Sequence, residues 1–588
     1  MAKNKARRLD KYEIVAALQE IAALSELKGG KDKFKARAYL TGARVVAGME
    51  DVGEAVLANR LTSLPGIGSG LASQIEQLYL TGKSSVLEDL KKEFPSGMLE
   101  LSQLQGLSIN KVKTLHEQLG ISSIADLKAA AEAGKIRNLQ GFGAKTEAAL
   151  LASITDKKQR AKEQNRLHLP RAMQTAAELL GYLNSATGVI EVSVAGSLRR
   201  WKETVGTIRL VANTKRPAAL IEHFLKYPLI AQVIERMEEA CIVLLAGGAR
   251  VSLVAAQPDE FGLALLTETG SQSHVERLHR IANGEAPDGK VKKARPRKKK
   301  KRAATNSAEQ QVERDIYAQL GLQYIPPELR EDSGEIEAAF AEKLPEDLLK
   351  LEDIRGMVHC HTTYSDGKHT IEEMARAAEA MGMQYITITD HSPTAFYAGG
   401  VKLDQLKRQW DEIDEVQERV KIKLLRGTES DIIANGQLDY PDKVLEKFDI
   451  IVASIHSRYK MDGTKMTQRI VTAMQHPVFK IWGHALGRKL LSRPSFDCDV
   501  ERVLDVIAES RAAIEVNASP QRLELEPKWI REARKRGIKF VISVDAHATA
   551  ELQYLKYGVG TARRGWLRKP EVLNTLGTKA FMSAVRPA

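Results

Sequence analysis

Apolar positions in YEIVAALQEIAALSEL (12–27) recur at helical spacing and predict an amphipathic helix. The next run, KDKFKARAYLTGARVVAGM (31–49), predicts another, with its basic residues on the solvent side. Residues 1–155 continue as helices joined by short glycine-containing turns. Residues 160–285 mix helix and strand. There VIEVSVAGS (189–197), GTIRLVAN (206–213), CIVLLAG (241–247) and ARVSLVAA (249–256) predict strands, being rich in β-branched residues. From 351 to 575, apolar strand-like runs alternate with helical ones: YITITD, KLLRGTESDI, DIIVASIH, FKIWGH, AAIEVNAS and KFVISVDAH. That alternation predicts an α/β fold with a parallel sheet or barrel.

Composition narrows the class. At roughly 100–200 residues per domain, the 588 residues make three to five domains. A hydrophobic fraction of 43% and a charged fraction of 28% exclude a mostly disordered or fibrous chain. No apolar run reaches about 18 residues, so no transmembrane helix is expected. The N-terminus, MAKNKARRLDKYEIV, lacks the apolar centre of a secretory leader. Cys241, Cys360 and Cys498 are few, distant and odd in number, which favours a reducing cytosol over a disulfide framework. The net charge is +13, and Lys290–Arg302 alone holds ten Lys/Arg and no acid. Such a run is a solvated linker able to hold polyanions nonspecifically. Residues 310–350 follow as an acidic helical connector containing Pro326–Pro327.

The chemistry gathers in the last third. Eight of the thirteen histidines lie between His359 and His547, several just after strand-like runs. Ligands in barrels sit at the C-terminal ends of strands. VHCHTTYSDG supplies His359 and His361, two apart and so on one side of a strand, then Asp366. TITDHS supplies Asp390 and His391, RGTESDI Glu429, SIHS His456, and WGHALGR His484. SVDAHA closes the series with Asp545 and His547, again two apart. Imidazoles mixed with carboxylates suit Zn²⁺, Mn²⁺ or Fe²⁺ better than Ca²⁺ or Mg²⁺. His369 and His476 lie outside these strand ends, and Cys360 should point to the opposite, packed face.

Residues 351–570 therefore resemble the PHP (polymerase and histidinol phosphatase) family of metal-dependent phosphoesterases. The resemblance implies a distorted (β/α)₇ barrel with a trinuclear metal centre. By it, His359, His361, Glu429 and Asp545 hold one metal. Glu429 bridges to a second held by His456 and His484, and Asp366, His391 and His547 hold the third. Met357 stands where the family often has an acid, at a position outside that ligand set. Adjacent divalent ions lower the pKa of a bridging water and clamp phosphate oxygens. Arg488 and Arg458, near two ligands, are candidate phosphate contacts.

In the N-terminal half, LPGIGSGLASQI (64–75) and LQGFGAKTEAALLASI (139–154) repeat a hydrophobic-Gly-hydrophobic-Gly turn entering a helix. This is the helix-hairpin-helix signature, in which glycines let the backbone approach a phosphate at a helix N-terminus. A middle copy, LQGLSINKVKTLHEQLG, keeps Gly106 but has Ser108 for the second glycine. Gly66, Gly68, Gly106, Gly141, Gly143 and Lys145 are the candidate DNA contacts.

VAGSLRRWKETVGTIRLVAN (194–213) resembles the nucleotidyltransferase signature of X-family DNA polymerases through Gly196, Ser197, Arg199, Arg200, Glu203, Thr204, Val205 and Gly206. TETGSQSHVERL (267–278) and YAQLGLQYIPPELREDSGEIEAA (317–339) are similar to further segments of that family's bacterial members, which carry a C-terminal PHP domain. The family's motif ends Gly-Asp-Ile-Asp, with a third metal-binding acid on a neighbouring strand. Here Thr207, Arg209 and Ser252 occupy those three positions. A hydroxyl does not replace a carboxylate on Mg²⁺, and Arg209 puts a cation where metal ions should sit. Polymerisation is expected to be absent, leaving a binding platform in which Arg209 could meet a phosphate. Gln74 stands near the lysine that animal relatives use as a lyase, so that activity is not carried over.

The expected organisation is multidomain, α and α/β. It comprises helical DNA-end-binding residues 1–95, fingers-like residues 96–158, a degenerate α+β palm at 159–288, linker and connector at 289–350, and a PHP barrel at 351–575. The expected function is a Mn²⁺-stimulated 3′→5′ exonuclease in base excision repair, with abasic-site or 3′-phosphate processing left open. The expected substrate is gapped, nicked or single-stranded DNA. The expected protein is a cytoplasmic, nucleoid-associated monomer holding three divalent ions. The alternatives are a small-molecule phosphatase similar to histidinol phosphatase, a non-catalytic DNA scaffold, and a still-active polymerase using Glu203 or Asp259.

Overall fold

The computed structural model describes residues 9–151 with short breaks, 166–285 and 308–585. Gly106, Ser108, Lys145 and the basic run Lys290–Arg302 lie outside the described residues. Two compact units divide the chain near residue 164.

The first unit is helical. Its opening helix, Lys11–Lys28, packs against Asp32–Ala47. Ile14 and Leu18 enter one core with Val46, Ile75 and Leu78, whereas Ile21 and Leu24 enter a second with Val112, Leu115 and Leu127. One helix therefore belongs to both halves expected as separate domains. The turn at Pro65–Gly68 is built as the glycine pattern requires. Gly66 sits at φ +89°, which side chains resist, and Gly68 caps the helix Ser69–Thr81. The second copy repeats this, with Gly141 at φ +85°.

The second unit opens with a five-stranded sheet in the order Val189–Ala195, Thr207–Thr214, Arg250–Ala256, Ala240–Leu245, Ile230–Arg236. Only the central pair, Thr207–Thr214 with Arg250–Ala256, is parallel. The sequence missed Ile230–Arg236. That edge strand is exposed along nearly its whole length and is held by its backbone ladder, so it carries no hydrophobic alternation to read.

The acidic connector is helical, as expected, and packs into a core. Its helix Ala308–Gln319 and the segments around Leu329 and Ile336 build a core with Leu266 and Leu278. At its centre Glu313 accepts from Arg330 at 2.6 and 3.0 Å and from Arg199 at 2.8 and 3.0 Å.

Residues 356–543 form seven parallel strands in sequence order, and seven helices from Ile371–Ala380 to Leu555–Arg564 surround them. The ring closes where Cys360 meets Ala546, through His361 N–H donating to Ala546 O at 2.8 Å. The strands are buried on both faces, as a barrel wall demands, and Trp482, Ile514 and Ile542 pack beneath the encircling helices. Every strand thus delivers its C-terminal end to one rim.

Candidate metal centre and the five-stranded sheet

The barrel rim brings all nine expected ligands together. Glu429, on the strand Lys423–Asp431, lies at the middle. Its Oε2 is 3.5 Å from His359 Nε2, 3.5 Å from His361 Nε2 and 3.0 Å from His391 Nδ1. Its Oε1 is 2.8 Å from His484 Nε2 and 3.3 Å from His456 Nε2. Asp545 Oδ1 faces His359 at 3.5 Å and His361 at 3.3 Å. Asp366 Oδ1 gathers His547, His391 and His361 at 3.3, 3.6 and 3.9 Å. His391 and His361 each turn one ring nitrogen toward Asp366 and the other toward Glu429. The three resulting groups of donor atoms each lie within 4.8 Å of one another.

These donors fit divalent ions. His359 Nε2, both ring nitrogens of His361, His391 Nδ1 and Glu429 Oε2 are buried without a hydrogen-bond partner. Orphaned polar atoms are costly, and here they converge on one another. The backbone agrees: Asp545 and His484 sit at φ 54° and 24°, strained values that gather at functional sites. Burial disfavours charge on His456, but Glu429 and Asp431 outweigh it and lift its pKa to about 10. Burial, with His547 and His391 alongside, drives His361 the other way, to about 3. Burial opposes ionisation of Glu429, yet His456, His359 and His391 hold its carboxylate well below the ordinary range.

A further shell fixes the ligands; of its acids the sequence singled out Asp390 but not Glu515 or Asp431. Glu515 is buried and accepts from His359 Nδ1 at 2.6 Å, from Ser543 Oγ and from the His484 backbone N–H. Asp431 holds His456 Nδ1. Asp390 accepts from Thr362 N–H at 2.7 Å, Thr362 Oγ1 at 2.6 Å and Gln409 Nε2 at 2.7 Å, and so orders the loop after His361. Signals existed. Glu515 is a carboxylate inside the apolar run AAIEV, and Asp431 lies two residues beyond Glu429, on the same side of its strand.

The cavity above the ligands has a volume of about 400 Å³, and Lys489, Arg493, Arg522, Tyr397 and Tyr459 complete its wall. Arg488 does not line it. Its guanidinium is spent on Arg522 O at 2.8 Å, Leu523 O, and Glu526 at 3.0 Å. Arg458 is exposed and does not line it either. Cys360 is fully buried in the barrel core, His369 Nδ1 accepts from Thr549 N–H, and His476 faces Asp442.

In the five-stranded sheet, Arg209 and Ser252 are direct cross-strand partners, and Thr207 lies on the same face of its strand. The alternating residues Ile208, Leu210, Val251 and Leu253 fill the core. Arg209 lies across Gly196, and its Nη1 pairs with Glu268 at 2.8 Å. Glu203 is half-buried and pairs with Arg564 at 2.7 Å.

Comparison with known proteins agrees with this architecture. The PHP domain matches residues 358–519, the DNA polymerase beta thumb 264–331, a helix-hairpin-helix domain 10–84, and a SAM-like helix-hairpin-helix tandem 98–156. The DNA polymerase/3′-5′ exonuclease PolX of Bacillus subtilis (strain 168) is 34% identical over 97% of this chain and 98% of its own length. Probable phosphatases match about a third of the chain. That of Thermoanaerobacter sp. (strain X514) is 28% identical over 37% of this chain and 89% of its own length. That of Caldanaerobacter subterraneus subsp. tengcongensis is 30% identical over 32% and 74%. Helix-hairpin-helix turns, a nucleotidyltransferase-like sheet and a metal-ready barrel in one chain, with a relative matched end to end, place this protein in the X family of DNA polymerases that carry a C-terminal PHP domain.

Proposed function

We propose that this protein is a DNA-binding phosphodiesterase that shortens 3′ ends from its barrel site and does not polymerise. The observation that carries the reading is the contrast between two sites in one chain. The barrel gathers nine converging donors with orphaned buried atoms, while the sheet presents Thr207, Arg209 and Ser252 with Arg209 engaged by Glu268.

His359, His361, Glu429, His456, His484, Asp545, Asp366, His391 and His547 would hold up to three divalent ions. Such ions supply a water of lowered pKa and neutralise phosphate oxygens. The chain's own contribution is the setting. Lys489, Arg493 and Arg522 present cations to a phosphodiester entering the cavity. Glu515 and Asp431 fix which ring nitrogen of His359 and His456 faces inward. At the rim, Phe396 is 86% exposed and Tyr397 61% exposed, the latter lining the cavity. Exposed aromatics beside a phosphate site offer stacking faces for unpaired bases. They support a nucleic-acid substrate over a small phosphomonoester, as do the two helix-hairpin-helix turns with Gly66, Gly68, Gly141 and Gly143.

The names of the partial-length relatives, probable phosphatases, favour a second reading, a phosphatase acting on small molecules. A 5′-labelled gapped primer–template with Mn²⁺ separates the possibilities. It is run with and without dNTPs beside a His359→Ala/His361→Ala variant. The expected result is shortening that dNTPs do not convert to extension and that the variant loses. An unchanged primer overturns the nuclease reading, and extension overturns the reading of the sheet.

A further inference from the structure

The segment Ala518–Glu526, between a barrel strand and its helix, is stitched into three places by successive side chains. Arg522 enters the metal-site cavity. Leu523, fully buried, belongs to the core of the five-stranded sheet with Leu169, Val205 and Ile208. Leu525, also fully buried, returns to the barrel core. A residue of the phosphoesterase site is thus one bond away from the interior of the degenerate palm.

Polar contacts from the palm and from the barrel itself secure the same segment. His168 Nδ1 lies 3.2 Å from Pro520 O. Arg488 donates to the carbonyls of both Arg522 and Leu523. That guanidinium is itself set against Glu203 at 3.9 Å, and Glu203 holds Arg564 of the barrel at 2.7 Å. Burial opposes ionisation of Glu203, but Arg564 and Arg488 bring its pKa down to about 2, so it stays an anion at the junction. Trp201 seals the contact by packing on Gly560, where an added Cβ would come within 2.4 Å of its ring.

Arg522 is held between two acids at the cavity wall. Its Nε lies 3.4 Å from Asp545 Oδ2, and its Nη1 faces the buried Glu524 Oε1 at 3.7 Å, beyond hydrogen-bond distance. It is fixed from behind by the sheet, through its neighbour Leu523.

We propose that Arg522 binds a non-bridging oxygen of the scissile phosphodiester and that the degenerate palm persists as the wall that positions it. Glu203 is then a positioning residue acting through Arg488 and Arg522. The inference rests on the phosphodiesterase reading above. A sheet that has lost its metal-binding acids thereby keeps a mechanical task in the neighbouring site.

The test uses the full chain with Mn²⁺ and bis(p-nitrophenyl) phosphate, a diester too small to need the helix-hairpin-helix turns. Arg522→Ala should lower kcat/KM about 100-fold, the scale for losing one preorganised charge contact in a dry site. Arg522→Lys should recover part of that loss. Glu203→Gln, and independently the milder His168→Ala, should each lower it several-fold with unchanged Mn²⁺ content and melting temperature. Calorimetry should show weaker binding of inorganic phosphate in the same order. The decisive outcome is coupling: Glu203→Gln should cost nothing further in the Arg522→Ala background. Losses that multiply, or palm variants at wild-type rates, overturn the inference. No turnover of the diester by the wild type instead overturns the phosphodiesterase reading.

Discussion

Glu515 Oε1 lies 2.6 Å from His359 Nδ1, inside the barrel wall and out of reach of solvent. The contact fixes His359 with Nε2 facing the ligand cluster. The same carboxylate takes the backbone N–H of His484, so one buried acid orients two ligands. Such partners typically control metal affinity by about 10–100-fold. Glu515→Gln should therefore lower Mn²⁺ affinity by about that factor while the far-ultraviolet circular dichroism stays unchanged. Chelator competition reads the affinity, and wild-type values would show that the contact only packs the wall.

Arg209 sits opposite Ser252 and pairs with Glu268. With Mg²⁺ and dNTPs, the wild type should leave a gapped primer unextended. Arg209→Ala should not restore extension, because removing the cation supplies no carboxylate pair. Single-nucleotide incorporation on a denaturing gel decides this. Any incorporation above background would mean that Glu268 or another acid serves as a ligand.

Phe396 is exposed at the rim and meets Tyr397 edge-to-face with ring centroids 6.3 Å apart. Phe396→Ala should raise KM for single-stranded DNA by roughly 10-fold, the loss of about 1–3 kcal/mol of base stacking. Turnover of bis(p-nitrophenyl) phosphate should stay unchanged, since that substrate needs no base platform. Equal losses on both substrates would instead place Phe396 in the architecture of the metal site.

Glu313 is buried between Arg330 and Arg199. Burial opposes its charge, but the two guanidiniums outweigh that and lower its pKa to about 2. An acid whose folded pKa is depressed contributes stability above its unfolded value, about 4.3. That contribution is lost as the pH falls from about 4.3 toward 2. Thermal unfolding followed between pH 7 and 2 should show this loss, and Glu313→Gln should flatten it. At pH 7, Glu313→Ala should cost about 3–5 kcal/mol, since it strands the fully buried Arg330.

The barrel was legible because a parallel strand buried on both faces must be an apolar run. The residue that ends such a run at the rim stands out as a histidine or acid. His359/His361 and Asp545/His547 could be read as pairs for the same reason, since a spacing of two returns a side chain to one face. The placement of Thr207, Arg209 and Ser252 was equally local, for they stand inside recognisable strands. Glu515 escaped notice because a buried acid in an apolar run gives no clue to its partner, His359, 156 positions away.

The sequence by itself determined the barrel, the helix-hairpin-helix turns and the nine rim donors, because each follows from a period or a short motif. Tertiary structure alone decided which cations face the site. Arg488 neighbours His484 in sequence yet turns away, whereas Arg522, Lys489 and Arg493 line the cavity. It also decided that Leu523 of the barrel completes the core of the palm. Local pattern says which face a side chain takes, but burial against a distant segment selects the partner, and no single stretch of chain encodes that choice.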